Sequence, residues 1–188
     1  MSQLIRPASL DDSNALMKLR IEAEEWLANA GIDQWRSPGF RDRALAKWQV
    51  DIAEGRTWVV PDASGELLGT ITLARPDADF WTRADDPESA VYVAKLITAR
   101  SAAGQQLGGR LLDWAGGVAR DRGLPWLRLD VWRDNSKLQG YYLNEGFEHV
   151  RTEAPSHRLS GWMAQRPSSL VVHPDAPLCT VDTPGLAG

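Results

Sequence analysis

The chain has 188 residues, 43% hydrophobic and 24% charged, with a formal net charge of −4. That length can bury one substantial core, no apolar run is long enough to span a bilayer, and no basic run offers nucleic acid a footprint, so membrane and nucleic acid are set aside as main partners. The single Cys179 excludes an intrachain disulfide framework and a thiolate-rich metal site, no metal is expected, and the opening Met1-Ser-Gln-Leu-Ile-Arg-Pro7 lacks the apolar core of a secretory signal, so a reducing cytoplasm is the expected setting.

Leu4-Ile-Arg-Pro7 reads as a short first strand, ended by Pro7, which has no N–H for the ladder. Asp11-Asp-Ser13 offers caps for a helix whose apolar positions Leu16, Leu19, Ala23, Trp26 and Leu27 recur at helical spacing, and Gly31 closes it. A second helix follows Ser37-Pro-Gly39, with Leu45, Trp48 and Ile52 on one stripe and Gly55 at its end. Between the helices, Trp35 either covers the core edge or walls a small-molecule pocket. Thr57-Trp-Val-Val60 and Leu67 to Leu73 read as two strands joined by the hairpin loop Pro61-Asp-Ala-Ser-Gly65. The loop from Arg75 to Glu88 carries five acids against two arginines, with Phe80 and Trp81 among them. A solvated acidic loop is one reading. Recognition of an amine is the other, through Asp79, Trp81 and Glu88, because aromatic faces among acids suit a cation.

From Val91 the chain is rich in β-branched and aromatic residues and reads as a strand. It then breaks into a small-residue loop and restarts as a helix with leucines at Leu107, Leu111 and Leu112. Lys95, Arg100 and Arg110 meet no acid within this stretch. A strand, a Gly-containing turn and a helix start make a place for phosphates, since free N–H groups and the positive end of the helix dipole converge there. A dinucleotide turn would need G-x-G-x-x-G and an acid about 20 residues further on, and Gly104-Gln-Gln-Leu-Gly108 fails that pattern. Pro125 to Trp132 alternates as a strand. Asp134-Asn-Ser136 then caps a helix with Leu138, Tyr141 and Tyr142 on one side, of which Tyr141 reads as the core aromatic. Gly146 terminates this helix. Phe147 to Arg151 and His157 to Ala164 read as two closing strands. From Pro167 the chain is proline-rich and lacks Lys and Arg, which divides it into a domain over 1–166 and a flexible tail over 167–188, with Leu170-Val-Val172 as the one stretch able to pair at a sheet edge.

With these elements in order, the chain resembles the GCN5-related N-acetyltransferases, the GNAT superfamily, over roughly residues 3–166. Ile5-Arg-Pro7 with Asp11, Leu96-Ile-Thr98 through Leu112, and Asn135 through Phe147 carry the resemblance. The last is the most specific: Asn135-Ser-Lys-Leu-Gln-Gly-Tyr-Tyr-Leu-Asn-Glu-Gly-Phe147 looks like that family's final helix, including the Tyr four residues before a Gly-Phe pair. The resemblance implies an α/β (α+β) fold, a mixed, mostly antiparallel six- to seven-stranded sheet flanked by helices, whose central strand and the next splay apart.

The same resemblance implies acetyl-CoA as acyl donor. Leu96, Ile97 and Thr98 would offer backbone groups to its pantetheine arm, and Ala103, Gly104, Gln105, Gln106, Leu107, Gly108 and Gly109 would hold its pyrophosphate. The family's loop pattern is matched in part: Gly108 fits, whereas Ala103 stands for Gln or Arg and Gln106 for the first specified Gly. Amide N–H groups do most of the phosphate binding and every residue here has one, while Gly104, Gly108 and Gly109 add conformational latitude. Tyr142 matches the position that protonates the departing thiolate. A phenol of reference pKa about 10 facing a thiol of about 8.5 must act through position more than acidity. Asn135 can serve as N-cap, as cofactor contact, or both. For the base, Asp79 and Glu88 are candidates because they flank the central strand, and His149 and His157 read as surface histidines. The implied activity is N-acetylation of a primary amine, on a small molecule or on a protein N-terminus or lysine. A non-catalytic acyl-CoA-binding module of the same fold is the rival, and a homodimer is a family-level expectation.

Overall fold

The computed structural model describes residues 3–32 and 38–181. In chain order the main elements are β1 (Gln3–Pro7), α1 (Ser13–Asn29), α2 (Phe40–Ala53), β2 (Thr57–Pro61), β3 (Leu67–Ala74), β4 (Ala90–Thr98), α3 (Leu107–Asp121), β5 (Trp126–Trp132), α4 (Ser136–Asn144), β6 (Glu148–Thr152), β7 (Ser160–Pro167) and β8 (Leu178–Thr180). The strands form an eight-stranded sheet in the order β6-β7-β5-β4-β3-β2-β1-β8. Pairs β1–β2, β2–β3, β5–β7 and β6–β7 are antiparallel, and β4–β5 and β1–β8 are parallel. This is the mixed, mostly antiparallel sheet expected, with one strand more. The addition comes from the presumed tail. Leu178 is buried, Leu178–Thr180 pairs with Gln3–Ile5, and the Val181 N–H donates to the Ile5 carbonyl at 2.9 Å. The stretch Leu170–Val172, expected to pair, is not a strand.

The chain divides into two compact units. The first comprises Met1–Thr72, Lys95–Leu111 and Asp175–Gly188, the second Leu73–Ala94 and Leu112–Pro174. In the first, α1 supplies Leu16 and Leu19 and α2 supplies Trp48 and Ile52 to a core that also holds Val59, Leu67, Ile97 and Ala99. The spacing on α2 runs through Ala44, Trp48 and Ile52, with Leu45 only half-buried. Trp26 departs from its expected core place: it is 46% exposed, with the Arg100 guanidinium 5.0 Å from its ring centroid. Two ion pairs orient α1. Arg6 on β1 grips Asp12 with two bonds of 2.8 Å, and the buried Arg20–Glu24 pair, also 2.8 Å, is extended by Arg41 of α2 at 2.9 Å. A buried charge left without its partner costs several kcal/mol, so these pairs are geometric constraints as much as attractions.

In the second unit β5 is held along its whole length by β7, whereas its registered pairs with β4 run only from Ala90–Trp126 to Tyr92–Arg128. Phe80, Trp81, Ala90, Tyr92 and Met163 form one core cluster. Arg166, 0% exposed, donates to Asp113 of α3 at 2.9 Å and to the Glu145 carbonyl at 2.8 Å, with Phe147 under its guanidinium. Asp113 in turn accepts from the Val172 and His173 N–H groups, and His173 bonds Glu145 at 2.8 Å. The residues just past Pro167 are thus fixed to this unit by buried polar contacts, not free in solvent as their composition suggested.

Candidate functional site

The phosphate-type turn lies in the first unit. Within β4, Lys95 has a φ of 50°, a left-handed backbone that costs a residue with a side chain about 1–2 kcal/mol. The side chain pairs with Asp51 of α2, and its ammonium lies 5.9 Å from the Trp48 ring centroid. Asp51 is held further by Arg56 at 2.5 Å. The strained residue interrupts the pleat just before Leu96, Ile97 and Thr98. Of these Ile97 is buried in the core, and Leu96 and Thr98 are half-buried.

After β4, Arg100–Ala102 makes one 3-10 turn. Gly104 follows at φ 81° and Gln106 at φ 54°. Gln106 therefore adopts the left-handed conformation that a glycine would take freely, which is what the family pattern specifies at this place. Ala103, Gly104, Gln105 and Gln106 are all exposed. The first bond of α3 is Arg110 N–H to the Gln106 carbonyl at 3.0 Å, so the N–H groups of Leu107, Gly108 and Gly109 precede any intrahelical partner. Gly69 on β3 lets this helix start lie close: a Cβ there would come within 3.0 Å of the Leu107 side chain and 3.3 Å of Leu111. The local positive charge is smaller than the sequence suggests. Lys95 is neutralised by Asp51. Arg110 is buried and spent on the Ala176 carbonyl at 2.6 Å and the Gln3 side chain at 2.8 Å, which leaves Arg100 exposed.

The second unit holds the other candidates. Tyr142 is 6% exposed and is the more buried of the two tyrosines, reversing the expectation that Tyr141 is the core aromatic. Tyr141 and Phe147 meet the Tyr142 ring edge-on at 5.3 and 5.6 Å. Burial, and then the charge of Asp130, push the Tyr142 phenol well above its ordinary value. Asn135 is buried and caps α4: its Oδ1 accepts from the Leu138 N–H at 3.0 Å. Asp130 on β5 is the residue that sequence reasoning missed. Burial pushes its carboxyl up to about 6, with Asp77 adding to the rise and Ser160 and Arg158 opposing it. The signal was available, since Asp130 is an acid between Leu129 and Val131 in a strongly apolar strand.

The acidic loop behaves differently from the amine-binding surface envisaged for it. Asp77 pairs with Arg158 at 2.6 Å, Asp79 is also taken by Arg158, and Asp85 is held by Arg151 at 2.6 Å, which lowers its carboxyl far below the usual range. Trp81 is 2% exposed, edge-on to Tyr92 at 5.6 Å and under the Arg128 guanidinium at 4.9 Å. It belongs to a core cluster with Phe80, Ala90, Tyr92 and Met163. Glu88 is exposed in the turn Pro87–Ser89, and Trp35 lies outside the described residues. Among the described residues no cluster of His, Cys, Asp and Glu is arranged to hold a metal, and no helix is long and apolar enough to cross a membrane.

Residues 20–147 match the model of the acetyltransferase (GNAT) family. The chain belongs to that family. It is 27% identical over 157 residues to the uncharacterized N-acetyltransferase YesJ of Bacillus subtilis (strain 168), covering 81% of this chain and 86% of that protein. Its fold is that of solved GNAT structures. A GNAT-family acetyltransferase of Listeria monocytogenes superposes with a TM-score of 0.70 at 21% identity, over 88% of this chain and 94% of the other. PaiA N-acetyltransferase of Thermoplasma acidophilum, solved with coenzyme A, gives 0.67 at 19% identity over 89% and 99%. The putative acetyltransferase yncA of Salmonella typhimurium, solved with acetyl-CoA, gives 0.59 at 20% identity over 94% and 99%.

Proposed function

We propose that this GNAT protein transfers an acetyl group from acetyl-CoA to a primary amine, the acceptor being a small cationic molecule. The observation that carries the reading is the turn between β4 and α3. Two left-handed residues lead into a helix start whose first N–H groups have no intrahelical partner, at the positions where the resemblance to the family would put a pyrophosphate. Anions at such a terminus are stabilised by roughly 0.3–1 kcal/mol from the dipole alone, and the converging amides add directional bonds. The residues present suit the group. Ala103 to Gly109 would supply amides, Arg100 would supply charge, and Leu96 to Thr98 would offer backbone groups to the pantetheine arm. Two relatives solved with coenzyme A or acetyl-CoA support the same donor.

Acetyl-CoA supplies the activated acyl group, and the chain's part is to hold it, order the acceptor and move protons. Tyr142 is the proton donor to the departing sulfur. Its raised pKa keeps the phenol protonated across the neutral range, so it yields its proton only as negative charge develops on the thiolate. Asn135 fixes the start of the helix that carries Tyr142. A cationic acceptor is supported by the net charge of −4, which favours encounter with cations.

Calorimetry with acetyl-CoA, NAD and ATP tests the donor. Acetyl-CoA is expected to bind and the other two are not; absence of acetyl-CoA binding refutes the reading. Mass spectrometry of products from polyamines, aminoglycosides, amino acids and peptides then identifies the acceptor. Donor binding with no product on any amine would favour a non-catalytic acyl-CoA-binding module.

A further inference from the structure

The reaction leaves one proton to be placed. A primary amine is an ammonium ion at neutral pH and must lose a proton before its nitrogen can attack a thioester. The acids of the 75–88 loop do not meet the need: Asp79 is held by Arg158 and Glu88 stands exposed in its turn. β5 carries another carboxylate. We propose that Asp130 is the base that takes the proton from the acceptor's ammonium group and, as an anion, selects a cationic acceptor. The inference rests on the acetyltransferase reading above.

Position is the first argument. Asp130 lies two residues past Arg128, where the registered β4–β5 pairs end, and is still held on its other side by Met163 of β7. Strand alternation sends the buried Leu129 to the opposite face. The second argument is what surrounds the carboxylate. Ser160, at the start of β7, gives it a side-chain hydrogen bond; Asp77 faces it from the loop after β3, Arg158 from the β6–β7 connection and Tyr142 from α4. Arg158 is the cation that could have neutralised it, but Arg158 is spent on Asp77 and Asp79. Among the described residues no cation pairs directly with Asp130. A carboxylate left without a cation in a partly buried place is stabilised by a cation arriving from outside. Its pKa of about 6 suits a base at neutral pH, ionised yet stronger than an ordinary carboxylate. The third argument is proximity to the acid, since the Asp130 charge is felt at the Tyr142 phenol within the same unit.

The protons balance. Asp130 takes one from the ammonium, which frees the lone pair. The N–C bond forms and the C–S bond breaks; Tyr142 gives its phenol proton to sulfur, the second nitrogen proton returns to the Tyr142 oxygen, and Asp130 releases its proton to water. Ammonium and thioester become amide, thiol and one proton.

Asp130→Asn, close in shape and unable to accept a proton, is compared with the wild type on two acceptors. One is the best primary amine from the product screen and the other is hydroxylamine, which is already uncharged at neutral pH. With the alkylamine, the wild type is expected to show a rise in kcat/KM through about pH 6, and the variant to lose that rise and fall about 100-fold. With hydroxylamine the loss should stay within about threefold, acetyl-CoA affinity within about twofold, and Asp130→Glu should restore part of the alkylamine rate. An equal loss on both acceptors, or none on either, overturns the assignment while leaving the acetyltransferase reading intact. If the wild type binds acetyl-CoA and acetylates neither acceptor, both readings fall together. If it does not bind acetyl-CoA, the failure belongs to the donor reading, and the inference falls with it.

Discussion

The turn from Ala99 to Gln106 and the cluster around Tyr142 and Asp130 are built in opposite ways. The turn offers main-chain N–H groups, which every residue there possesses, and its demands fall on backbone conformation. Ala103 and Gln106, where the family pattern has other residues, each still carry such an N–H. The cluster offers a buried phenol and a half-buried carboxylate, and burial shifts both away from their ordinary proton affinities. There the identity of a single atom matters and the backbone is ordinary helix and strand.

Three variants would break or sharpen this contrast. The largest effect is expected from Tyr142→Phe, which removes one oxygen from a packed ring. Turnover should fall by roughly 10²–10⁴-fold while the acetyl-CoA dissociation constant, measured calorimetrically, stays the same. Unchanged turnover would remove Tyr142 from the chemistry. The second effect is on stability. The Asp130 carboxyl rises from 3.8 in the unfolded chain to about 6 in the folded one, so the folded state binds more protons between those values and its stability falls as pH rises through them. Asp130→Asn abolishes that loss. Denaturant melts should show it more stable than the wild type at neutral pH by up to roughly 3 kcal/mol, with the advantage vanishing near pH 4. An advantage independent of pH would mean that Asp130 is not strained by its burial. The smallest effect belongs to the turn. Gln106→Gly relieves a left-handed residue and should raise stability by at most about 1 kcal/mol, partly offset by the freer unfolded chain. Acetyl-CoA affinity should hold or improve slightly. A marked loss would show that the Gln106 side chain, and not only its backbone, contacts the donor.

The sequence by itself determined the order and kind of the main elements from β1 to β7, the place of the phosphate-type turn and the helix that carries Tyr142. These signals are local: helical spacing at Leu16 and Leu19, alternation from Trp126 to Trp132, a cap at Asn135, a stop at Gly146. Composition misled at the tail, because prolines and missing cations describe Pro167 onwards well but say nothing of Asp113 and Arg166, which hold Val172 and His173, or of the β1 edge that receives Leu178–Thr180. Only the tertiary structure decided which charges are spent and which remain. Lys95 meets Asp51 across 44 residues, Arg110 meets the Ala176 carbonyl across 66, and Arg158 takes Asp79 across 79. Charges read along the chain made the 75–88 loop look acidic and the Val91–Arg110 stretch look positive. Pairing in space cancels Asp77, Asp79 and Asp85 in the loop and Lys95 in the positive stretch, and engages Arg158 with Asp77 and Asp79, so that among the described residues no cation pairs directly with Asp130. Local signals set conformation through neighbouring residues; the reactivity of an ionisable group is set by solvent and charges that the chain brings to it from far away.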